Sequence, residues 1–336
     1  MDVPVVSVVM PVFNAEAFLG LSVGSVLGQT FADFELICFN DASTDGSLAM
    51  LRAFGQADAR VRVIDSATNV KQGGGRNRAV AAARGRFVVF LDADDALEPD
   101  ALERCVAAAM REDADMVAYD YVRFSPSRGG EEARVCPLGA DASELRGDAL
   151  RRRMVQRPAP VWSAMYERRL ITDNGLFFPE GVFYEDNAVA AAIQLSARNP
   201  VKIDAALYRY RFDNVSVTRS TDNYRFFDRL ASAVALLGHV KRLGLYGRFA
   251  DELDMLFVDQ YLTHTVYGCV YRFSKVPVLR HRYVCRTVSR YVGDFRRNPC
   301  YRARPLGMRL KLRAHMAAPR LIKLLSAASR RLRGRR

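Results

Sequence analysis

The chain has 336 residues, 50% of them hydrophobic and 26% charged, the composition of a globular protein with enough apolar material for one large domain or two smaller ones. The opening run MDVPVVSVVMPV has no basic region and no small-residue cleavage site, and nothing approaches ~20 uninterrupted apolar residues, so neither a signal peptide nor a transmembrane helix is expected. The formal charge of +13 is unevenly placed: residues 275–336 carry 19 Lys and Arg against the single acid Asp294, which leaves residues 1–274 at −5 and suggests two parts with different tasks.

In chain order, VVSVVMPVF (5–13) reads as a buried strand, and Ala15 to Leu27 carries Leu19, Val23, Val26 and Leu27 at helical spacing. FELICFN (34–40) is a second strand ending at Asp41. Ser43, Thr44 and Asp45 then offer N-cap oxygens for a helix through Leu51, with Asp45 the expected cap. VRVID (61–65) is a third strand, and the triple glycine 73–75 leads into the helix RNRAVAAAR. FVVFL (87–91) is a fourth strand, Pro99 opens a helix over DALERCVAAAM, and ADMVAYDYVRF (114–124) is a fifth strand. The alternation predicts a mainly parallel α/β sheet flanked by helices. SPSRGGEE (125–132) is a weak boundary candidate. Mixed segments follow, WSAMYERRLI, FFPEGVFYEDNAVAAAI and the strand-like KIDAALYRYRF, and from Asn223 the pattern is helical. The expected division is 1–220 and 221–336. The six cysteines show no CxxC and no zinc spacing, which reads as reduced, mostly buried thiols in a cytosolic protein.

The chemistry concentrates at strand ends. In open α/β sheets ligands sit beyond the carboxyl ends of the strands, and here those ends supply Phe13–Asn14, Asp41 and Asp92–Asp94. The stretch FVVFLDADDALEP runs a greasy strand into three carboxylates, which repel and raise one another's pKa unless a positive partner sits among them. No GxGxxG follows the first strand, which disfavours a dinucleotide fold. An Asp-x-Asp at a strand end is a hard-oxygen site suited to Mg²⁺ or Mn²⁺, metals held by one or two carboxylates and completed by substrate phosphates. The expected positive partner is therefore a divalent cation bridging to a diphosphate. Plainer readings stand beside this one: solvated turn acids for Asp92 and Asp94, a turn residue for Asp41, a surface helix residue for Arg76, and a helix-dipole acid for Asp186. Asp95 should point away from the pair, as a cap, a structural group or a ligand. Trp162 reads equally as a sugar-stacking ring or as core, and Glu185 as structural or functional.

SVVMPVFN, FNDASTDGS, NVKQGGGRNRAV and FLDADDALEP, continued by WSAMYERRLI, NGLFFPEGVFYEDN and YRYRFDNVSVTRS, resemble the ordered motifs of family 2 glycosyltransferases of the GT-A fold, over roughly residues 5–220. The resemblance implies inverting transfer of a sugar from a nucleotide-diphosphate donor, usually UDP-linked, to a hydroxyl of a glycan or lipid-linked acceptor in cell-surface polysaccharide synthesis. It implies that Pro11, Phe13 and Asp41 hold the nucleoside and Arg76 the diphosphate. Asp92 and Asp94 would form the metal motif, with Asp94 the more direct ligand, and Asp186 would be the catalytic base. Two departures stand out. Asn40 replaces a frequent aspartate, and GGGRN replaces a less glycine-rich pattern, which is expected to loosen the turn.

Two rival classes are weaker. A haloacid-dehalogenase-like phosphatase would use Asp92 as nucleophile, but Ala96 stands where Thr or Val belongs. A nucleic-acid-binding protein using the basic tail would leave the acidic strand ends unexplained, so no nucleic-acid partner is expected. In the tail, Leu321, Leu324, Leu325, Ala328 and Leu332 form one apolar helical stripe among Arg and Lys, with Pro319 in its first turn. The expectation is a helix lying on an anionic membrane surface, placing a cytoplasmic protein on the inner face of the cytoplasmic membrane. The alternative is a helix packed on the protein's own acidic side.

Overall fold

Four strands form one half of a sheet, with β3 at its edge: β1 (Val6–Val12), β2 (Phe34–Asp41), β3 (Val61–Ser66) and β4 (Phe87–Phe90). In the computed structural model, which describes residues 3–125, 130–212 and 221–333, all four are parallel, with Val8 opposite Leu36 and Val89 across the two ladders of β1. Every residue of β1, β2 and β4 is buried, as a strand covered by helices on both faces requires. The remaining strands are β5 (Ala96–Leu97), β6 (Met116–Ser125), β7 (Glu131–Val135), β8 (Ala164–Glu167) and β9 (Pro200–Arg211), and the order is β3-β2-β1-β4-β8-β6-β9-β5 with β7 on β6.

The fifth strand read from the sequence, β6, does not neighbour β4. The short run AMYE of β8 enters between them, antiparallel to both. Four apolar-rich residues without alternation carry no periodicity that would announce a strand. The helices of this part are α1 (Glu16–Leu27), α2 (Ser47–Ala57), α3 (Lys71–Ala82), α4 (Ala101–Glu112), α5 (Gly147–Gln156), α6 (Arg169–Thr172) and α7 (Ala190–Ser196). Asp45 accepts from the backbone N–H of Ser47 (3.0 Å) and of Glu16 (3.1 Å), so one carboxylate caps the first turns of both α1 and α2.

The glycine triplet corrects one expectation. Gly73, Gly74 and Gly75 are not a loose turn ahead of a helix but the buried first half of α3. A Cβ on Gly75 would lie 3.0 Å from Phe39 Cδ1 and 3.1 Å from Pro11 Cβ, and one on Gly73 would lie 2.6 Å from the Pro179 carbonyl. Glycine costs a helix interior about 1 kcal/mol relative to alanine. Here that cost lets α3 lie directly on the ends of β1 and β2.

By contacts the chain divides into two units, Met1–Asn214 and Val215–Arg336. The boundary expected near residue 220 and the DNVSVTRS half of the last motif fall in 213–220, outside the described residues. The second unit is helical throughout its described residues: α8 (Asp228–Arg242), α9 (Ala250–Phe257), α10 (His264–Tyr271), α11 (Val278–Val292), α12 (Pro299–Arg302), α13 (Leu306–Ala317) and α14 (Pro319–Arg333), with a π-helical stretch Val258–Thr263 joining α9 to α10. No helix among the described residues is long and apolar enough to cross a membrane.

Candidate active site

The carboxyl ends of β2, β1 and β4 lie side by side and bring most of the expected residues to one edge of the sheet. Pro11 is buried within β1, opposite Phe39. Phe13 follows the strand and is half exposed. Asn14, in the left-handed region at φ 48°, donates its backbone N–H to Ser43 Oγ (3.1 Å) and accepts from the Thr44 N–H (2.8 Å), which ties the two loops together. Asp41 is buried at the end of β2. Its Oδ1 accepts from the Val70 N–H at 2.6 Å and its carbonyl accepts from Asn69 Nδ2, so it holds the turn that starts α3. Asn40 donates to Asp65, while its own Oδ1 is buried without a hydrogen-bond partner.

Arg76 is not a surface helix residue. It is 2% exposed, donates through Nη1 to Glu185 Oε1 (2.7 Å) and through Nη2 to Asp92 Oδ1 (2.7 Å), and lies over the Phe178 ring. Gln72, one turn earlier on α3, donates to the same Asp92 oxygen at 2.8 Å. Both outer nitrogens of Arg76 are therefore spent on carboxylates, and only its Nε is buried without an acceptor. Burial opposes its charge, but Asp92, Glu185 and Asp186 outweigh burial and hold its pKa above the ordinary value.

The acids around that cation outnumber it. Burial pushes the Glu185 carboxyl up to about 7, against the pull of Arg76. Burial also raises Asp186, with Arg76 and the Asn187 N–H (2.8 Å to Oδ1) acting in the other direction. Asp186 opens a short 3₁₀ turn, and the residue before the pair, Tyr184, sits at φ 64°. Asp94 is part-buried, and its carbonyl accepts from Arg211 Nε. Asp95 turns the other way, as strand alternation predicts: both oxygens accept from β9, from Tyr208 Oη (2.6 Å) and the Arg211 N–H (2.8 Å). Its burial, with Asp92 and Asp94 nearby, drives its pKa upward.

Trp162 packs as core. Its ring stacks on Tyr208 (centroids 4.2 Å, 13°) and lies nearly parallel to Tyr210, with Tyr121 against it edge-on. Tyr208 Oη, bonded to Asp95, also accepts from the Asp92 N–H, so this stack fixes the start of the acidic loop. Gln72 and Tyr208 are the positioning residues that sequence reasoning passed over. Gln72 could have been found from its i, i+4 spacing to Arg76; Tyr208 carried no local signal.

The donor set fits a hard divalent cation. Asp92 and Asp94 present only oxygen, and among the described residues no group of three or more His, Cys, Asp or Glu could hold a metal by itself. One or two carboxylates are what Mg²⁺ or Mn²⁺ takes from a protein when phosphate and water complete the shell. One Asp92 oxygen is already held by Arg76 and Gln72.

Comparison with known proteins agrees with this architecture. Residues 7–158 match the family described as Glycosyl transferase family 2. EpsJ, an uncharacterized glycosyltransferase of Bacillus subtilis, is 30% identical over 260 residues, 75% of this chain and 74% of EpsJ. A shorter match, 33% over 121 residues (36% of this chain and 47% of the relative), joins it to WfgD of Escherichia coli, a UDP-Glc:alpha-D-GlcNAc-diphosphoundecaprenol beta-1,3-glucosyltransferase. Among solved structures, S. aureus TarS 1–349 superposes with a TM-score of 0.67 at 19% identity, covering 96% of this chain and 91% of that one. TarS 1–349 in complex with UDP-GlcNAc superposes at 0.56 with 18% identity over 87% and 89%. The structural likeness establishes the fold, and the identity to EpsJ across three quarters of both chains establishes the kinship: this chain belongs to glycosyltransferase family 2, and it is a glycosyltransferase.

Proposed function

We propose that the protein transfers a sugar, with inversion, from a UDP-linked donor to a hydroxyl of a glycan or lipid-linked acceptor in the synthesis of a bacterial surface polysaccharide. The observation that carries this reading is the Glu185–Arg76–Asp92 bridge. It draws the Glu185–Asp186 turn, 109 residues from Arg76, against the acidic end of β4. On this reading the proposed base, Asp186, and the proposed metal-and-diphosphate acid, Asp92, stand close to the same Arg76 guanidinium. The UDP preference and the diphosphate-lipid acceptor are taken from what the names of TarS and WfgD specify.

In this mechanism Asp186 accepts the acceptor hydroxyl proton as the oxygen attacks the anomeric carbon. The bond from that carbon to the diphosphate oxygen breaks, its electron pair leaves with UDP, and the configuration inverts in one displacement. Burial, by raising the Asp186 pKa, makes it a stronger base than an exposed aspartate. A divalent cation, Mn²⁺ or Mg²⁺, held by Asp94 with Asp92 beside it, would neutralise charge gathering on the departing diphosphate. Arg76 acts on the donor through Asp92 and Glu185, whose positions it sets. Phe13 offers a half-exposed ring for the nucleoside base, with the buried Asp41 and Pro11 at the ends of the neighbouring strands β2 and β1.

Family membership leaves the phosphatase and nucleic-acid readings without support. The experiment is a hydrolysis screen over nucleotide sugars, with and without Mn²⁺. UDP-sugars should be cleaved to UDP and free sugar only when Mn²⁺ is present. Turnover of a donor with another nucleoside, or metal-independent turnover, would overturn that part of the proposal.

A further inference from the structure

Helix α14 is turned opposite to what its composition demands of a protein in water. Leu321, Leu324 and Leu325 are 54%, 68% and 56% exposed, and Ala328 is exposed with them. Ile322, Lys323, Ser326 and Ala327 lie on the more covered face. The cause is a polar anchor. Lys323 Nζ donates to the carbonyls of Val270 (2.9 Å) and Phe273 (2.5 Å), at and just beyond the C-terminal end of α10, where a cation offsets unpaired carbonyls and the helix dipole. With the lysine turned inward, the leucine stripe faces out.

The preceding helix repeats the arrangement. Leu312 and His315 hold α13 inward: His315 accepts from Tyr271 Oη (2.9 Å) and its carbonyl accepts from His281 Nε2 (2.9 Å). Leu306, Met308 and Leu310 are each more than half exposed. Two consecutive helices, meeting at Ala318, thus display six large apolar side chains. Lone exposed leucines need no explanation, but a whole stripe left in water forfeits the burial that normally orients an amphipathic helix.

Charge identifies what covers it. Residues 306–333 contain eight Lys and Arg and no acid. A second copy of the chain would bring one strongly cationic surface against another. An anionic bilayer accepts both features at once, leucines at the acyl boundary and basic side chains at the headgroups. We propose that the outward face of α14, with the exposed apolar side chains of α13, docks on the surface of an anionic lipid membrane. The inference stands on the helices of Val215–Arg336 and not on the donor chemistry.

The test uses full-length protein and sedimentation with vesicles of phosphatidylglycerol or phosphatidylcholine. Wild type should bind phosphatidylglycerol about tenfold more tightly or better, and binding should weaken as salt is raised. Leu321→Ser/Leu324→Ser/Leu325→Ser should bind about a hundredfold more weakly, with an unchanged circular dichroism melt and unchanged hydrolysis of the donor. If the triple variant fails to fold, Leu324→Ser alone should lose about fivefold. The proposal is overturned if wild type ignores phosphatidylglycerol vesicles at low salt, or if a folded leucine variant binds them as wild type does. It is equally overturned if wild type self-associates without binding vesicles and the triple variant is monomeric, since the stripe is then a dimer contact. Absence of donor hydrolysis in every protein would count against the proposed chemistry and leave the vesicle result intact.

Discussion

Replacing Glu185 by glutamine should stabilise the first unit, and only at neutral to alkaline pH. Glu185 is 6% exposed, and burial lifts its pKa from 4.5 to about 7 even though Arg76 sits 2.7 Å away. The sign follows from linkage. A carboxyl whose folded pKa is raised binds its proton more tightly in the folded state, so it begins to cost stability above 4.5 and costs most above about 7. At about 1.36 kcal/mol per pH unit, that interval is worth on the order of 3 kcal/mol at pH 8 and almost nothing near pH 4.5. Glutamine keeps the shape and an oxygen for Arg76 Nη1 and removes the buried charge. In a unit of this length, about 3 kcal/mol should raise the melting temperature by about 6–12 °C. Trp162, the only tryptophan, is buried in the first unit, so denaturant unfolding followed by its fluorescence reads that unit. Glu185→Gln less stable than wild type at pH 8 would show that the ion pair outweighs burial, and the reasoning would fail. A stabilisation that does not shrink between pH 8 and pH 5 would refute it as well.

Asp94→Ala should abolish the Mn²⁺-dependent part of UDP binding; calorimetric titration with and without the metal decides it, and an unchanged dependence removes Asp94 from the donor site. Asp186→Asn keeps the shape but cannot take a proton, so transfer should fall by roughly 10²–10⁴ while donor affinity holds; near-normal turnover would move the base elsewhere, to Glu185 first. The second unit should respond to acid in the opposite sense from Glu185. His239, His264, His281 and His315 all have pKa values lowered by burial, so the unfolded chain binds more protons and stability falls as pH drops below about 6.5, with Asp254 opposing them. Calorimetric melts between pH 7.5 and 5.5 check this, and a transition of the second unit that climbs on acidification contradicts it.

Much of the architecture was legible one residue at a time. The runs VSVVMPV, FELICF and FVVF are nearly continuously apolar, broken only by Ser7 and Glu35, which suits a strand buried on both faces. Asp41 and Asp92–Asp94 end those runs, so their gathering at one edge followed once the strands were parallel. The seven ordered motifs then pointed to the family that the comparison with EpsJ establishes. Helical spacing likewise marked the stripe Leu321, Leu324, Leu325 and Ala328 in α14.

What local pattern could not supply was the choice of partner. Periodicity says which face of an element is apolar, not which neighbour it meets. The insertion of β8 between β4 and β6 therefore went unread, and the glycines of α3 resembled a turn until Phe39, Pro11 and Pro179 filled the space that Cβ atoms would need. Arg76 is a buried bridge between acids, and Glu185 reaches it only when the chain closes over 109 residues. The direction of α14 belongs to the same class: two carbonyls at the end of α10, invisible in the sequence, capture Lys323 and turn the leucines outward.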